Sequence, residues 1–247
     1  MRSMIAIVGK DVSRFFSQII PVITLLIFYA VMGLVLWILP GSAIPDGYYA
    51  QMDMFFTTAP VLLVFLIPAL NMDAISEERA AGTMDLLLTR PVSTTNIVLG
   101  KFLSGISVIL IGLIPSLLYV VTVFYLGNPV GNIDLGAVYG GYLGLFLLVC
   151  VFTSISLFAS SLFPVPMTAL MAAVFLCAFW YWAFYLLSRL PVFYGIWDYW
   201  VQYLGLDFHY EEMGSGLIPF HSVVYLLSLV ILFLAGTQEQ VRKMRRI

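Results

Sequence analysis

Charge is what this sequence has least of. Of its 247 residues only 10% are Asp, Glu, Lys or Arg, and six stretches, residues 19–39, 55–72, 102–126, 137–163, 167–187 and 222–236, contain none of the four. Globular domains keep about a quarter of their residues charged, so an ordinary soluble fold is excluded. Ion channels, voltage sensors and proton-coupled carriers hold ionisable groups at membrane depth despite the cost of placing them there. Their absence from all six stretches weighs against each of those classes.

Cysteine is nearly as scarce. Cys150 and Cys177 both sit in apolar stretches, where they pack as small hydrophobes, and a disulfide framework is excluded on count and position. There is no G-x-x-x-x-G-K-[ST]: Gly9-Lys10 and Gly100-Lys101 lack the upstream glycine and the following hydroxyl that cradle a phosphate. No G-x-S-x-G elbow and no pair of carboxylates within a stretch is present, so intramembrane serine or aspartyl proteolysis lacks its reacting groups and no enzyme is expected. The two histidines, His209 and His221, do not form an H-E-x-x-H pair, and with Glu211 and Glu212 they read as polar loop residues; no metal is expected.

What the sequence has is apolar length: 62% apolar residues and a mean hydropathy of +1.03. A hydrocarbon core of about 30 Å takes roughly 20 helical residues, so the six stretches predict six membrane-crossing helices. The first stretch exceeds a signal-peptide core of about 7–15 residues, and a polar helical segment precedes it, so it reads as a retained crossing. An even number of crossings puts both termini on one side. Arg2, Lys10, Arg14, Arg79, Arg90, Lys101, Arg242, Lys243, Arg245 and Arg246 share that side and only Arg189 is left opposite, which makes the shared side cytoplasmic. The other side carries Asp46, Asp134, Asp198, Asp207, Glu211 and Glu212.

Residues 1–18 form a segment of their own before the membrane domain of residues 19–247. Ile5, Val8, Val12, Phe15 and Ile19 share one helical face, with Lys10, Ser13, Arg14 and Ser17 opposite, the pattern of an interfacial helix. A cytoplasmic extension of the first crossing fits the same residues; Pro21 is a natural start for the crossing proper. Gly136, Gly140 and Gly144, continued by Ser156 and Ser160, make a small-residue ladder fit for close helix approach, within one bundle or between subunits. Pro60, Pro68 and Pro115 fall inside crossings, where they free carbonyls for side chains or water to satisfy. Phe163-Pro164-Val165-Pro166-Met167 predicts a tight turn.

The one long internal stretch with both signs of charge joins the second and third crossings: SEERAAGTMDLLLTRPVSTTNIVLGK, residues 76–101. Ser76-Glu77-Glu78-Arg79 extends the second crossing, Gly82 permits a break, Met84 to Leu88 makes a short helix ended by Thr89-Arg90-Pro91, and Ser93 or Thr94 caps the third crossing. Leu86, Leu87 and Leu88 bare in the cytoplasm would each forgo roughly 1.5–3 kcal/mol of burial, so a protein partner is expected to cover them.

The run E-x-x-x-G-T-x-D-L-L-L-T-x-P-V-S followed by L-G-K resembles the cytoplasmic signature of ABC-2 type permeases, most closely the gliding-motility-associated permeases and their nitrous-oxide-reductase-maturation relatives. Lys10-Asp11 with Arg14-Phe15-Phe16 is similar to that family's elbow helix, and His209-Tyr210-Glu211-Glu212-Met213 with Gly216-Leu217-Ile218 to its segment before the last crossing. Asp85 replaces the family's usual Glu, Ser215 an arginine, and Pro219 and Phe220 an acidic residue.

The resemblance implies an all-α integral membrane protein of the ABC-2 exporter fold, in a bacterial cytoplasmic (inner) membrane, with six crossings and an elbow helix. Residues 76–95 become the coupling segment: Glu77, Glu78, Arg79, Gly82, Thr83, Asp85, Leu86, Leu87, Arg90 and Pro91 seat in a groove of the ATPase. Lys10, Arg14 and Phe15 mark the elbow. Residues 188–221, with Trp197, Trp200, Glu211 and Glu212, become an outer re-entrant or surface-lying gate; an aromatic belt explains the rings equally well.

Implied partners are an ABC ATPase dimer, which binds ATP and Mg, a second permease subunit that is a copy or a relative, an accessory membrane protein with an extracytoplasmic domain, and the bilayer, but no nucleic acid. The function implied is export of a lipidic, polymeric or amphipathic substrate; the alternative is a membrane anchor for an ATPase doing mechanical or assembly work without substrate passage.

Overall fold

The computed structural model of the chain describes residues 2–39, 52–83, 93–193 and 195–244. Asp46, Asp85, Leu86, Leu87, Arg90, Pro91, Arg245 and Arg246 lie outside that set. Helix α1, Arg2–Ser17, ends where Gln18 takes an extended backbone (φ −97°, ψ 148°), and α2, Ile19–Trp37, begins at once with Pro21 in its first turn. The elbow is therefore a separate helix and not a straight extension of the first crossing. Helices α3, Asp53–Asn71, and α4, Asp73–Ala80, run together through Met72, which is itself helical (φ −56°, ψ −37°). Their combined 28 residues, Asp53–Ala80, make a rod of about 42 Å, longer than a hydrocarbon core of about 30 Å, so α4 stands clear of the lipid.

Ser93 caps α5, Thr94–Leu113, by accepting the Asn96 amide at 3.2 Å. A 3₁₀ turn at Ile114–Ser116 leads into α6, Leu117–Leu126. Asp134 accepts the amides of Gly136 and Ala137 at 2.9 and 3.2 Å to start α7, Leu135–Leu162. After the two-proline turn, α8, Pro166–Ala178, passes through a π turn, Phe179–Ala183, into α9, Phe184–Ser188. A 3₁₀ turn at Pro191–Phe193 precedes α10, Ile196–Gln202, and α11, Leu206–Gly214; α12, Phe220–Met244, follows. Six helical stretches are long and apolar enough to cross a membrane, each overlapping one of the six uncharged stretches, and the described residues contain no strand.

The three prolines behave differently. Pro60 and Pro68 sit inside an unbroken α3, whereas Pro115 converts the third crossing to the 3₁₀ turn. The carbonyls around that break find side chains: the Tyr29 hydroxyl donates to Gly112 and the Ser116 hydroxyl to Leu113 at 2.7 Å. A break in lipid persists only when such donors are at hand.

Helix α7 is the axis of the bundle, buried over 83% of its most apolar window, while α8 and α12 turn Met171, Phe175, Ile231 and Leu232 outward, as lipid demands. Small residues allow the encirclement. A Cβ on Gly140 would stand 2.1 Å from the Met213 carbonyl oxygen, one on Gly141 2.7 Å from the Phe56 ring, and one on Gly144 3.0 Å from the Tyr210 ring. The ladder glycines Gly140 and Gly144 thus pack within the bundle against α11, and Gly141 beside them admits Phe56 of α3. The buried hydroxyls of Ser154, Ser156 and Ser161 donate to carbonyls three or four residues back at 2.6–2.7 Å, so they enter the apolar core satisfied.

Gly140→Ala drives a methyl into backbone and is expected to cost about 1–3 kcal/mol, seen as a lower thermal unfolding midpoint of the detergent-purified protein. At Gly33, inside α2, a Cβ meets nothing within 4 Å, and alanine there is expected to be neutral or to gain up to about 1 kcal/mol. Equal midpoints for the two variants would contradict the close approach.

Candidate functional site

The short helix α4 gathers the bundle at its basic end. Ile75 is fully buried with Ile97, Val98 and Val241, which fastens α4 to α5 and α12. The Ser160 hydroxyl of α7 donates to the Met72 carbonyl at 2.8 Å and accepts the Ile75 and Ser76 amides, both at 3.0 Å. One hydroxyl so serves three backbone groups at the α3–α4 junction, where Ile75 and Ser76 are buried from water. Glu77 pairs with Arg14 of α1. Glu78 pairs with Lys101 of α5 at 2.8 Å, and the Lys101 ammonium also donates to the Ala74 carbonyl. Arg79 donates to the carbonyls of Ser161 and Leu162 at 3.0 and 3.4 Å, where the end of α7 leaves orphan acceptors and a negative dipole.

These contacts differ in weight. Lys101 is only 5% exposed and Glu78 17%, so their pair is held in a low dielectric, with one Glu78 oxygen, Oε2, buried and without a hydrogen-bond partner among the described residues. Arg14 and Glu77 are 39% and 44% exposed, and such a pair contributes at most about 1 kcal/mol. Asp11 of α1 completes the cluster. Burial raises its pKa; Lys101 opposes the shift and Glu78 adds to it. Beneath α1, a cavity lined by Asp11, Arg14, Gln18, Asn71, Asp73 and Lys101 opens between the elbow and the crossings.

Of the residues expected to couple to an ATPase, Glu77, Glu78 and Arg79 are brought together here, each engaged by another helix of the chain. Gly82 takes the left-handed conformation (φ 67°) just past the end of α4, and Thr83 donates back to the Glu78 carbonyl at 3.3 Å. In the elbow, Lys10 is exposed and Phe15 packs on the core. Sequence reasoning missed Asp11, Lys101 and Ser160 as members of the cluster. Lys101 ends the L-G-K motif, one residue before an uncharged stretch, and Ser160 ends the small-residue ladder; both positions were visible, but their partners lie 23 and about 85 residues away.

At the opposite end the gate residues divide. Trp197 and Trp200 on α10 are 67% and 58% exposed, and Glu211 on α11 is exposed. Glu212 instead accepts from Ser222 at 2.7 Å and lies 3.0 Å from His221. Helix α11 buries Leu206, His209, Tyr210 and Met213 on one stripe, and the Tyr210 hydroxyl donates to the Phe56 carbonyl at 2.7 Å. Burial on this helix, aided by the neighbouring Glu211 charge and resisted by a hydrogen bond from Tyr181, pushes the Asp207 carboxyl up to about 6.

Two tests follow from these ends. Lys101→Met strands a buried carboxylate and is expected to destabilise by about 3–5 kcal/mol in denaturant titrations, partly recovered by adding Glu78→Gln, whereas Arg14→Ala costs at most about 1. A Lys101→Met variant as stable as Arg14→Ala would refute the buried pair. For Asp207 the folded-state pKa lies above the unfolded value, so its contribution to stability is full below about pH 4 and lost as pH rises through about 6. Asp207→Asn is expected to flatten that part of the stability-pH curve; a curve unchanged by the substitution would contradict the shift.

The sequence profile of the ABC-2 family transporter proteins matches residues 42–191, which is more than half of the chain and covers α3 through α9. No individually curated protein matches the chain. With six apolar helices long enough to span a bilayer and that match across most of them, the chain is a multi-pass membrane protein and belongs to the ABC-2 transporter family as a permease component.

Proposed function

We infer that this chain is the permease subunit of an ATP-driven ABC-2 exporter in a bacterial inner membrane, with its basic end cytoplasmic, and that residues 76–95 receive the motion of the ATPase. Membership of the family implies an ABC ATPase partner, and the absence of a phosphate-cradling loop here assigns ATP and Mg to that partner. A second permease subunit completes the dozen or so crossings of such an exporter. The similarity of residues 78–101 and 209–218 to the gliding-motility-associated permeases favours that branch. Six uncharged stretches and an aromatic-rich interior suit a lipidic, polymeric or amphipathic cargo.

The observation that carries this reading is the attachment of α4. Its five residues from Ile75 to Arg79 reach α1, α5, α7 and α12, so a force delivered to the segment beyond Gly82 is shared by four helices at once. Glu77, Glu78 and Arg79 then transmit force within the permease, and the groove is left to Asp85, Leu86, Leu87, Arg90 and Pro91. Replacing Leu86 and Leu87 by Asp is expected to abolish copurification with the ABC ATPase partner and its stimulation in proteoliposomes. Wild-type copurification and ATPase activity in that variant would overturn the coupling role. Flux of fluorescent lipid from vesicles holding both chains, absent without ATP, tests transport itself.

A further inference from the structure

At the acidic end a histidine from one helix meets a histidine and a glutamate from another. His209 and Glu212 come from α11, His221 from the first turn of α12, and each offers a ligand-capable atom, the three lying within 4.8 Å of one another. The contacts between them run out of protons. His209 Nε2 faces the Tyr203 carbonyl at 2.9 Å, an acceptor only, so Nε2 carries the hydrogen and Nδ1 keeps a lone pair. That lone pair points at the Ser222 hydroxyl at 2.8 Å, and the same hydroxyl lies 2.7 Å from Glu212 Oε2. Ser222 has one proton for two acceptors.

We propose that His209, Glu212 and His221 form a binding site for a single divalent zinc ion that ties α11 to α12. Two neutral imidazoles and one carboxylate are the protein ligand set of an open zinc site, with Ser222 or water at the fourth position. Zinc bonds of about 2.0–2.2 Å in a tetrahedron bring ligand atoms to roughly 3.5 Å apart, so the cluster closes by side-chain adjustments of about 1 Å. The ring orientations are already fixed from outside. The Nε2–H to Tyr203 bond holds His209 in the tautomer that leaves Nδ1 free to bind a metal. Tyr225 lies against His209 with ring centroids 4.3 Å apart, and Tyr203 stacks on His221 at 5.7 Å and 21°. His209 is fully buried, while His221 and Glu212 are 46% and 33% exposed, which gives a buried ligand at the back and an open path in front.

The sequence shows these residues but not the H-E-x-x-H spacing, because His221 sits on a second helix, nine residues past Glu212 across a turn, and the proposal reverses the expectation of no metal drawn from that spacing. The test uses the full-length chain in detergent, stripped with a chelator, dialysed against zinc chloride and freed of excess metal. About one zinc per chain is expected by mass spectrometry of the metal, with binding weakened at least tenfold in His221→Ala and in Glu212→Gln, and unchanged in the control Glu211→Gln. The two partly exposed ligands are chosen because a variant of buried His209 can fail by misfolding. Zinc retention by both ligand variants equal to wild type, or no retention by wild type, overturns the proposal. An independent readout is the zinc X-ray absorption edge of the wild type: two imidazoles in the first shell support the site, and an all-oxygen shell refutes it.

Discussion

A bilayer interior offers no hydrogen bonds, so each polar group this chain carries into it must find a partner within the chain. That constraint explains the placement of Ser160, whose hydroxyl takes two amides and gives to one carbonyl where α3 meets α4. It explains Tyr29 and Ser116 at the break around Pro115, and the serines along α7 that bond to their own preceding turns. Hydrophobic burial does not distinguish one helix arrangement from another when the solvent is itself hydrocarbon; small residues and satisfied polar atoms do. Helix α7 has both, and the other crossings are arranged around it.

At the basic end the same logic meets water. Here charges are affordable, and they concentrate on α4, the part of the second crossing that outruns the membrane. The Lys101–Glu78 pair is buried deeply enough that its value is geometric as much as energetic: desolvation offsets much of the attraction, but the loss of either partner leaves the other stranded. Arg79 on the last carbonyls of α7 adds a contact that joins the end of the central helix to the end of α4.

The crossings were legible in the sequence because lipid imposes length and apolarity residue by residue. Caps at Ser93 and the stop at Gly82 were legible for the same local reason: one side chain or one absent Cβ determines each. What sequence left open was whatever depends on two distant segments meeting. The small-residue ladder was visible, but only the structure shows that α11 fills it. Glu77, Glu78 and Arg79 were visible as charges, but their partners Arg14, Lys101 and the end of α7 required the fold. His221 stood twelve residues from His209 with a proline turn between, and no periodicity joins such a pair.

The 3₁₀ turn at Ile114–Ser116 divides the third crossing into two parts with unequal constraints. Below it, α5 is bolted through Lys101, Ile97 and Val98 to the charged end; above it, Leu117, Leu118, Val121 and Leu126 of α6 lie open to lipid. At the turn the Tyr29 and Ser116 hydroxyls hold the Gly112 and Leu113 carbonyls, while backbone amides hold those of Ile111 and Ile114. The crossing is thus a jointed strut: its foot is tied into the charged cluster, and its upper part, past the proline, is left to the surrounding acyl chains.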